Sequence, residues 1–106
     1  MKNFKLICLL IIIFLTFFSL SVKPDDKFDM GKDVFLNKAM CSSCHTLKDA
    51  GSNAQIGPNL NKIKPDKFKI INVVTNGIGI MPAFEGDLTS DEIEAVAHYV
   101  DISSNQ

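Results

Sequence analysis

The first twenty or so residues form the most hydrophobic stretch of the chain. Two lysines precede an apolar run from Leu6 to Leu20, and the small residues Ser19 and Ser21 lie at its end. A basic start, an apolar core and small residues before a cut are typical of a secretory signal peptide. The pattern therefore predicts that residues 1–21 are a signal peptide cleaved near Ser21.

The same run has a second interpretation as a retained membrane anchor. No charged residue lies between Lys5 and Lys23, and a membrane-spanning helix needs about 20 apolar residues. In that case the protein would contact the membrane only through this leader. The signal-peptide interpretation is preferred because the basic start and the small residues match a cleavable leader.

A polar linker over residues 22–28 leads into the first of three predicted helices. Asp29 is the expected N-cap, and the helix runs from about Met30 to Asn37. A second helix starts near Pro65, because proline is favoured in a first helical turn. The apolar positions expected to face the core are Val34 and Phe35 in the first helix, and Phe68, Ile71 and Val74 in the second.

The last predicted helix has the strongest start signal. Thr89 or Ser90 is its N-cap, and Thr89 with Glu92 has the spacing of a capping box. No repeat is visible and no segment predicts a strand. Residues 29–106 are therefore expected to form one all-α domain of three to five helices joined by long loops. The apolar stripe of the last helix consists of Ile93, Val96, Ala97 and Val100.

Composition and size limit what this domain achieves alone. The chain has 106 residues and is 46% hydrophobic. After a cut following Ser21, nine basic and twelve acidic residues remain, a formal charge of −3. Nucleic-acid binding is disfavoured because such domains are normally basic. A domain this small usually needs a disulfide, metal or cofactor, and only Cys41 and Cys44 remain to hold one.

The five residues from Cys41 to His45 have the spacing C-x-x-C-H, which is the attachment motif of c-type haem. Two thiols three residues apart on one turn reach the two vinyl groups on one edge of a porphyrin. The histidine that follows then lies beside the iron, for which imidazole is a normal ligand. The motif predicts one covalent haem c on Cys41 and Cys44, with His45 as an axial iron ligand.

Two other chemistries use the same cysteine spacing. A dithiol redox pair needs a βαβ context, which the helical pattern does not offer. A zinc site needs a second pair of ligands, and His98 is the only further histidine after His45. His98 lies on the last predicted helix, where a surface or helix-packing role is expected. Haem is therefore the preferred interpretation.

The second axial ligand is predicted in a glycine-rich loop. Met81 has two glycines shortly before it and a proline directly after it, so this segment is not regular helix and its backbone approaches a flat ring closely. Met40 is adjacent to Cys41 and does not reach the opposite face. Histidine–methionine ligation raises the reduction potential of haem iron. The alternative for Met81 is ordinary core packing.

Through these motifs the sequence resembles the class I monohaem c-type cytochromes over nearly all of the chain after the leader. The resemblance implies a small cytochrome c fold wrapped around one haem. It also implies that the Pro58 carbonyl accepts a hydrogen bond from His45 and orients it. The matching residues are Gly31 with Phe35, Val96 with Tyr99, the motif from Cys41 to His45, Gly57-Pro58-Asn59-Leu60 and Met81-Pro82-Ala83-Phe84.

The resemblance implies a one-electron carrier rather than an enzyme, most similar to small bacterial periplasmic cytochromes and to the lumenal carriers that serve photosystem I. Such a carrier takes an electron from a donor such as a cytochrome bc complex and passes it to a terminal oxidase or another acceptor. The expected location is the bacterial periplasm, or the outer face of the inner membrane if the leader is retained.

Two other functions stay open at this point. A peroxidase-like or ligand-sensing haem protein needs a vacant sixth position, and an electron-entry subunit stays docked to a dehydrogenase or oxidase. The charge pattern also departs from family members that carry lysines around the haem edge, so the polarity of docking is open. The basic cluster is Lys62, Lys64, Lys67 and Lys69, and the acidic cluster is Glu85, Asp87, Asp91, Glu92 and Glu94.

Overall fold

The computed structural model describes residues 2–17 and 25–106. Most of these residues are helical, as predicted. Single turns of other helix types lie between the α-helices, and two very short strands pair with each other. The α-helices are α1 Lys2–Phe17, α2 Asp26–Asp33, α3 Leu60–Ile63, α4 Lys67–Asn76 and α5 Ser90–Ser103; a π-helical turn covers Val34–Lys38, 3₁₀ turns cover Cys41–Ser43 and Lys48–Ala50, and the strands are β1 Thr46–Leu47 and β2 Ser52–Asn53.

The predicted leader contains α1, which has 16 residues. Within residues 2–17 and 25–106, no helix is both long and apolar enough to cross a membrane. The predicted cleavage point near Ser21 and the first part of the predicted linker fall among residues 18–24, outside the described residues.

The first predicted helix begins four residues earlier than expected, so the prediction of Asp29 as its N-cap is wrong. The Asp25 carboxylate accepts the backbone N–H groups of Lys27 and Phe28 at 3.2 and 3.3 Å. An aspartate in this position satisfies amides that have no partner within the helix. The earlier start also places the Phe28 ring edge-to-face on Tyr99, with centroids 4.9 Å apart.

The close crossing of α2 and α5 is confirmed, and Gly31 makes it possible. A Cβ atom on Gly31 would lie 2.0 Å from the Ala95 carbonyl oxygen and 2.6 Å from the Tyr99 Cβ. Both distances are too short for a contact between non-bonded atoms, so only a glycine fits at this position. Phe35 packs edge-to-face on Tyr99 on the C-terminal side of the crossing, with centroids 5.7 Å apart.

A hydrogen bond to a carboxylate holds Tyr99 in place within this core. Its side chain is fully buried, and its hydroxyl donates to the Asp49 carboxylate at 2.7 Å. Lys32 pairs with the same carboxylate at 3.1 Å. Both contacts lower the pKa of Asp49, and the hydrogen bond from Tyr99 is the largest single cause. Burial, reinforced by the Asp49 contact, raises the pKa of Tyr99.

The capping box at the start of α5 is confirmed. The Glu92 amide donates to the Thr89 hydroxyl at 3.2 Å, and the Glu92 carboxylate accepts the Thr89 amide at 3.1 Å. The other oxygen of Glu92 accepts from Lys38 at 2.5 Å. Because Lys38 ends the π-helical turn that continues α2, this ion pair fixes the chain just before Cys41. All four predicted apolar positions of α5 are buried.

The apolar face predicted for the middle helix is only partly right. α4 starts at Lys67 with Asp66 as its N-cap, and its buried residues are Ile70 and Val74. Phe68 is 81% exposed, so its expected place in the core is wrong. The physical reason is that the helix is oriented by Ile70 and Val74, four residues apart, and this turns Phe68 outward.

The expectation of no strand is wrong for one short hairpin. Thr46 pairs with Asn53 and Leu47 with Ser52 in an antiparallel ladder. The Thr46 hydroxyl also donates to the Ala54 carbonyl at 2.8 Å. Each strand has only two residues, which is too short for an alternation of apolar and polar residues to be recognised in the sequence.

Replacing Gly31 with alanine should destabilise the protein by about 3 kcal/mol, because the new methyl group collides with the α5 backbone and overpacking of this kind costs about 1–3 kcal/mol or more. Denaturant unfolding measures the change. Gly51→Ala is the control, because nothing lies within 4 Å of its Cβ position and only the cost of its positive φ, about 1 kcal/mol, is expected. Equal losses in the two variants would contradict the crossing.

Stability should fall in acid as Asp49 is protonated. Its pKa in the folded protein lies below the ordinary 3.8, so its contribution is complete above about pH 4 and is lost as the pH falls through the lowered value. Asp49→Asn should therefore lower stability at pH 7 and flatten the fall below pH 4 in urea unfolding. Asp87→Asn, an exposed carboxylate, should leave the profile unchanged; a variant of Asp49 with the wild-type profile would refute the assignment.

Candidate haem site

The attachment motif lies on a tight turn directly after the π-helical segment. Met40 has a φ of 53°, a left-handed conformation that ends the helical path. Cys41 then begins a 3₁₀ turn, and its carbonyl accepts the amides of Cys44 and His45 at 3.1 and 2.9 Å. The two thiols and the imidazole therefore project from a single turn of backbone.

Ser43, one of the two residues between the cysteines, secures this turn. Its amide and its hydroxyl both donate to the Met40 carbonyl, at 3.0 and 2.6 Å. No disulfide joins Cys41, Cys44 or Cys8 in the described part of the chain. Before any haem is attached, burial raises the pKa of the Cys41 thiol to about 11.

The imidazole of His45 is oriented by the segment that contains Pro58. Its Nδ1 lies 2.7 Å from the Pro58 carbonyl oxygen. A carbonyl oxygen only accepts, so Nδ1 carries a proton, and in the neutral imidazole the lone pair is then on Nε2. This is the tautomer that binds a metal through Nε2, and the carbonyl makes that nitrogen more basic.

Gly57 packs against the His45 ring, a role that was not predicted from the sequence. Its amide donates to the Cys44 carbonyl at 2.7 Å. A Cβ atom on Gly57 would lie 2.6 Å from Cε1 and 2.9 Å from Nδ1 of His45. The imidazole therefore packs directly on this glycine. The only signal in the sequence is the position of Gly57 beside Pro58.

The predicted sixth-ligand loop is a tight turn that folds back along α4. Ile78 and Met81 exchange backbone hydrogen bonds at 3.1 and 2.9 Å. Gly77 has a φ of 74°, and a Cβ there would lie 2.8 Å from the Met81 carbonyl oxygen. The Phe84 amide then donates to the Val74 carbonyl at 2.8 Å. No regular helix occurs between α4 and α5, as predicted.

The structure brings Cys41, Cys44, His45 and Pro58 into one connected group. Met81 belongs to a separate loop. It is half-buried and packs against the same hydrophobic core that Cys41 contacts. No hydrogen bond in the described part of the chain links the Met81 loop to the His45 group, so the loop reaches the core independently through α4.

Large apolar side chains stand exposed on the segments around this group. Ile56 beside Gly57 is 66% exposed, and Ile78 and Ile80 beside Met81 are 64% and 87% exposed. Burying such surface stabilises a complex with an apolar ligand. Two thiols, one imidazole with a free Nε2, a thioether and flanking isoleucines are a donor set and surroundings that fit haem.

Among the described residues, no further zinc ligands join Cys41 and Cys44. His98 pairs with Asp25 at 2.5 Å, which links α5 to the N-cap of α2, as expected for a helix-packing histidine. This contact also lowers the pKa of Asp25. Across residues 2–17 and 25–106, no three histidine, cysteine or acidic side chains gather in a way that would hold a metal ion.

Comparison with known proteins supports the same conclusion. Residues 26–100 match the family described as cytochrome c oxidase, cbb3-type, subunit III. Cytochrome c6 from Gloeothece citriformis is 35% identical over 91% of each chain. Cytochrome c6 from Nostoc sp. is 38% identical over 93% of this chain and 90% of its own. This chain is a class I monohaem c-type cytochrome.

A solved structure agrees with that assignment. The crystal structure of the c-type cytochrome SorU from Sinorhizobium meliloti superposes with a TM-score of 0.73 at 46% identity. The match covers 78% of this chain and 97% of SorU. The expectation of a small all-α cytochrome c fold is confirmed.

Three functional conclusions follow from membership of this family. The cytochrome carries haem c, bound covalently, with iron as its redox centre. It is an electron carrier between redox complexes, and it is not an enzyme. The peroxidase-like alternative is thereby set aside.

Proposed function

We propose that this cytochrome binds its haem through thioether bonds to Cys41 and Cys44, with Nε2 of His45 and the sulfur of Met81 as the axial iron ligands. The observation that carries the proposal is the 2.7 Å contact between Nδ1 of His45 and the Pro58 carbonyl. It makes Nε2 the nitrogen through which the neutral imidazole binds a metal, on the residue that directly follows the second thiol. Pro58 acts as the positioning residue for His45.

The bound haem supplies a reversible one-electron change at its iron. The protein's residues set how readily that change occurs. Met81 contributes a neutral thioether, and histidine–methionine ligation favours the ferrous state relative to other ligand pairs. The isoleucines beside Gly57 and Met81 add apolar surroundings, which disfavour the extra positive charge of the ferric state.

The partners are proposed from the chemistry of a diffusing one-electron carrier. The donor is a quinol-oxidising cytochrome bc complex, and the acceptor is a terminal oxidase or another redox protein. Relatives that match over nine-tenths of both chains favour this arrangement over a permanently docked subunit. Electron-transfer encounters of this kind use small, brief contacts.

The location is proposed from the leader. Residues 1–21 act as a signal peptide that directs export to the bacterial periplasm. If the leader were retained instead, it would hold the domain at the outer face of the inner membrane. In both cases the domain of residues 29–106, preceded by the turn of α2 that starts at Asp26, works outside the cytoplasm.

Replacing Met81 with alanine should lower the reduction potential by on the order of 0.1 V or more, because axial ligands set haem potentials over about 0.8 V. The variant should also bind carbon monoxide in the ferrous state, since a coordination position opens. Redox titration and carbon monoxide difference spectra measure the two effects.

Met30→Ala is the matched control for this experiment. Met30 is 44% exposed on α2, and the variant should keep the wild-type potential and exclude carbon monoxide. An unchanged potential in the Met81 variant, with carbon monoxide still excluded, would remove Met81 from the ligand pair.

Replacing Gly57 with alanine should raise the reduction potential by less than the Met81 variant lowers it. The new methyl group pushes the His45 ring from its place and weakens the Nδ1 contact with Pro58, so the imidazole donates less electron density to the iron. Redox titration of the purified cytochrome measures the shift.

Gly86→Ala is the control, because its backbone has a positive φ but nothing lies within 4 Å of its Cβ position. It should retain the wild-type potential. If both glycine variants keep that potential, the proposed influence of the Pro58 contact on the iron is wrong.

A further inference from the structure

Three hydrogen bonds connect the chain just after the second cysteine of the motif with the segment that contains Pro58. In each of them the two partners lie 13 residues apart, so the two segments lie side by side and run in the same direction. All three bonds measure 2.7 Å, and they join the Gly57 amide to the Cys44 carbonyl, Nδ1 of His45 to the Pro58 carbonyl, and the Lys48 amide to the side-chain oxygen of Asn61.

The contact between His45 and Pro58 lies between the other two bonds. A backbone bond secures it on one side, and the Asn61 side chain secures it on the other. Leu47 and Leu60 also hold the two segments in the core, but apolar packing is non-directional and does not fix the position of a single carbonyl group. Directional hydrogen bonds on either side of Pro58 do fix it.

Asn61 does not cap its own helix. The N-cap of α3 is Asn59, whose side chain accepts from the Lys62 amide at 3.3 Å, and asparagine is a weak helix former outside cap positions. Because a backbone amide only donates, the oxygen of Asn61 must face Lys48. Its nitrogen is then directed to the Ser103 carbonyl, at 3.5 Å. The side chain of Asn61 thus joins α3 to two distant parts of the chain.

We propose that Asn61 is a positioning residue for His45. By holding the Pro58 segment against the residues that follow the second cysteine, it sets the direction and length of the hydrogen bond from Nδ1 of His45 to the Pro58 carbonyl. That bond makes Nε2 more basic, so Asn61 influences the iron through Pro58 and His45. The inference rests on the proposed ligation of iron by His45, and it adds a residue that the resemblance to class I cytochromes does not include.

Asn61→Leu removes the oxygen from a side chain of similar size. In the haem-loaded ferrous protein, the Nδ1 proton of His45 should then exchange with deuterium faster than in the wild type, because its hydrogen bond to Pro58 opens more often. The reduction potential should rise, by less than in Gly57→Ala, since the imidazole donates less electron density to the iron. Heteronuclear NMR measures the exchange, and redox titration measures the potential.

Ser52→Ala is the matched control for loosening of the strand. The Ser52 hydroxyl accepts from the Leu47 amide at 3.0 Å, directly before the amide that bonds to Asn61. The substitution therefore frees the neighbouring amide and leaves the Pro58 segment in place. It should keep the wild-type exchange rate and potential. Equal changes in Ser52→Ala and Asn61→Leu would assign the effect to a looser strand and overturn the proposal.

Asn61→Asp separates the role of the oxygen from that of the nitrogen. A carboxylate keeps an acceptor for the Lys48 amide and loses the donor to Ser103, so the exchange rate should match the wild type. The exchange rate is the readout for this variant, because its new charge alters the potential directly. Fast exchange in Asn61→Asp would assign the effect to the Ser103 contact and overturn the proposal. Asn61→Ala replaces Asn61→Leu if leucine prevents haem loading.

The same spectra test the proposed ligation separately. The ring current of a porphyrin strongly shifts the ring protons of a histidine that is held on ferrous haem iron. Absence of this shift for His45 in the wild type would overturn the ligation, and the role of Asn61 with it. A shifted ring together with wild-type exchange and potential in Asn61→Leu would leave the ligation intact and overturn only the role of Asn61.

Discussion

The crossing of α2 and α5 at Gly31 is the constraint on which the rest of the domain depends. The two helices meet so closely that the α5 backbone occupies the place of a side chain. Tyr99 fills the adjoining space and holds Asp49, which belongs to the segment beyond the attachment motif. Lys38, at the end of the helical segment that continues α2, is tied to the start of α5 through Glu92. The chain before and after the motif is therefore fixed by one helix pair.

The backbone, rather than a set of polar side chains, orients the proposed iron ligand. His45 receives its direction from the Pro58 carbonyl and its closest packing from Gly57, while the Cys44 carbonyl and the Gly57 amide hold the two segments together. Met81 is held in a comparable way by its backbone pairing with Ile78 and by the return of the chain onto α4. Both proposed ligands thus lie on backbone that is fixed by short-range hydrogen bonds, which suits a carrier that makes and breaks no bonds.

Features that depend on neighbouring residues in the sequence could be predicted, and features that depend on contacts between distant residues could not. The C-x-x-C-H motif and the Thr89–Glu92 capping box are local, so the sequence alone was enough. The start of α2 was misplaced because Asp25 and Asp29 are equally good caps by type, and the choice depends on the packing of Phe28 against Tyr99. Phe68 was misplaced for a related reason, since tertiary contacts of Ile70 and Val74 set the rotation of α4.

In the proposed site, His45 and Met81 hold the iron of a haem attached to Cys41 and Cys44. The most direct test is the absorption spectrum of the purified, oxidised cytochrome at the red end of the visible range, where a weak band marks a methionine sulfur on ferric iron. Ligation by Met81 predicts this band in the wild type and its absence from the Met81→Ala variant. A covalent haem spectrum without the band in the wild type, or the same band in both proteins, would contradict that ligation.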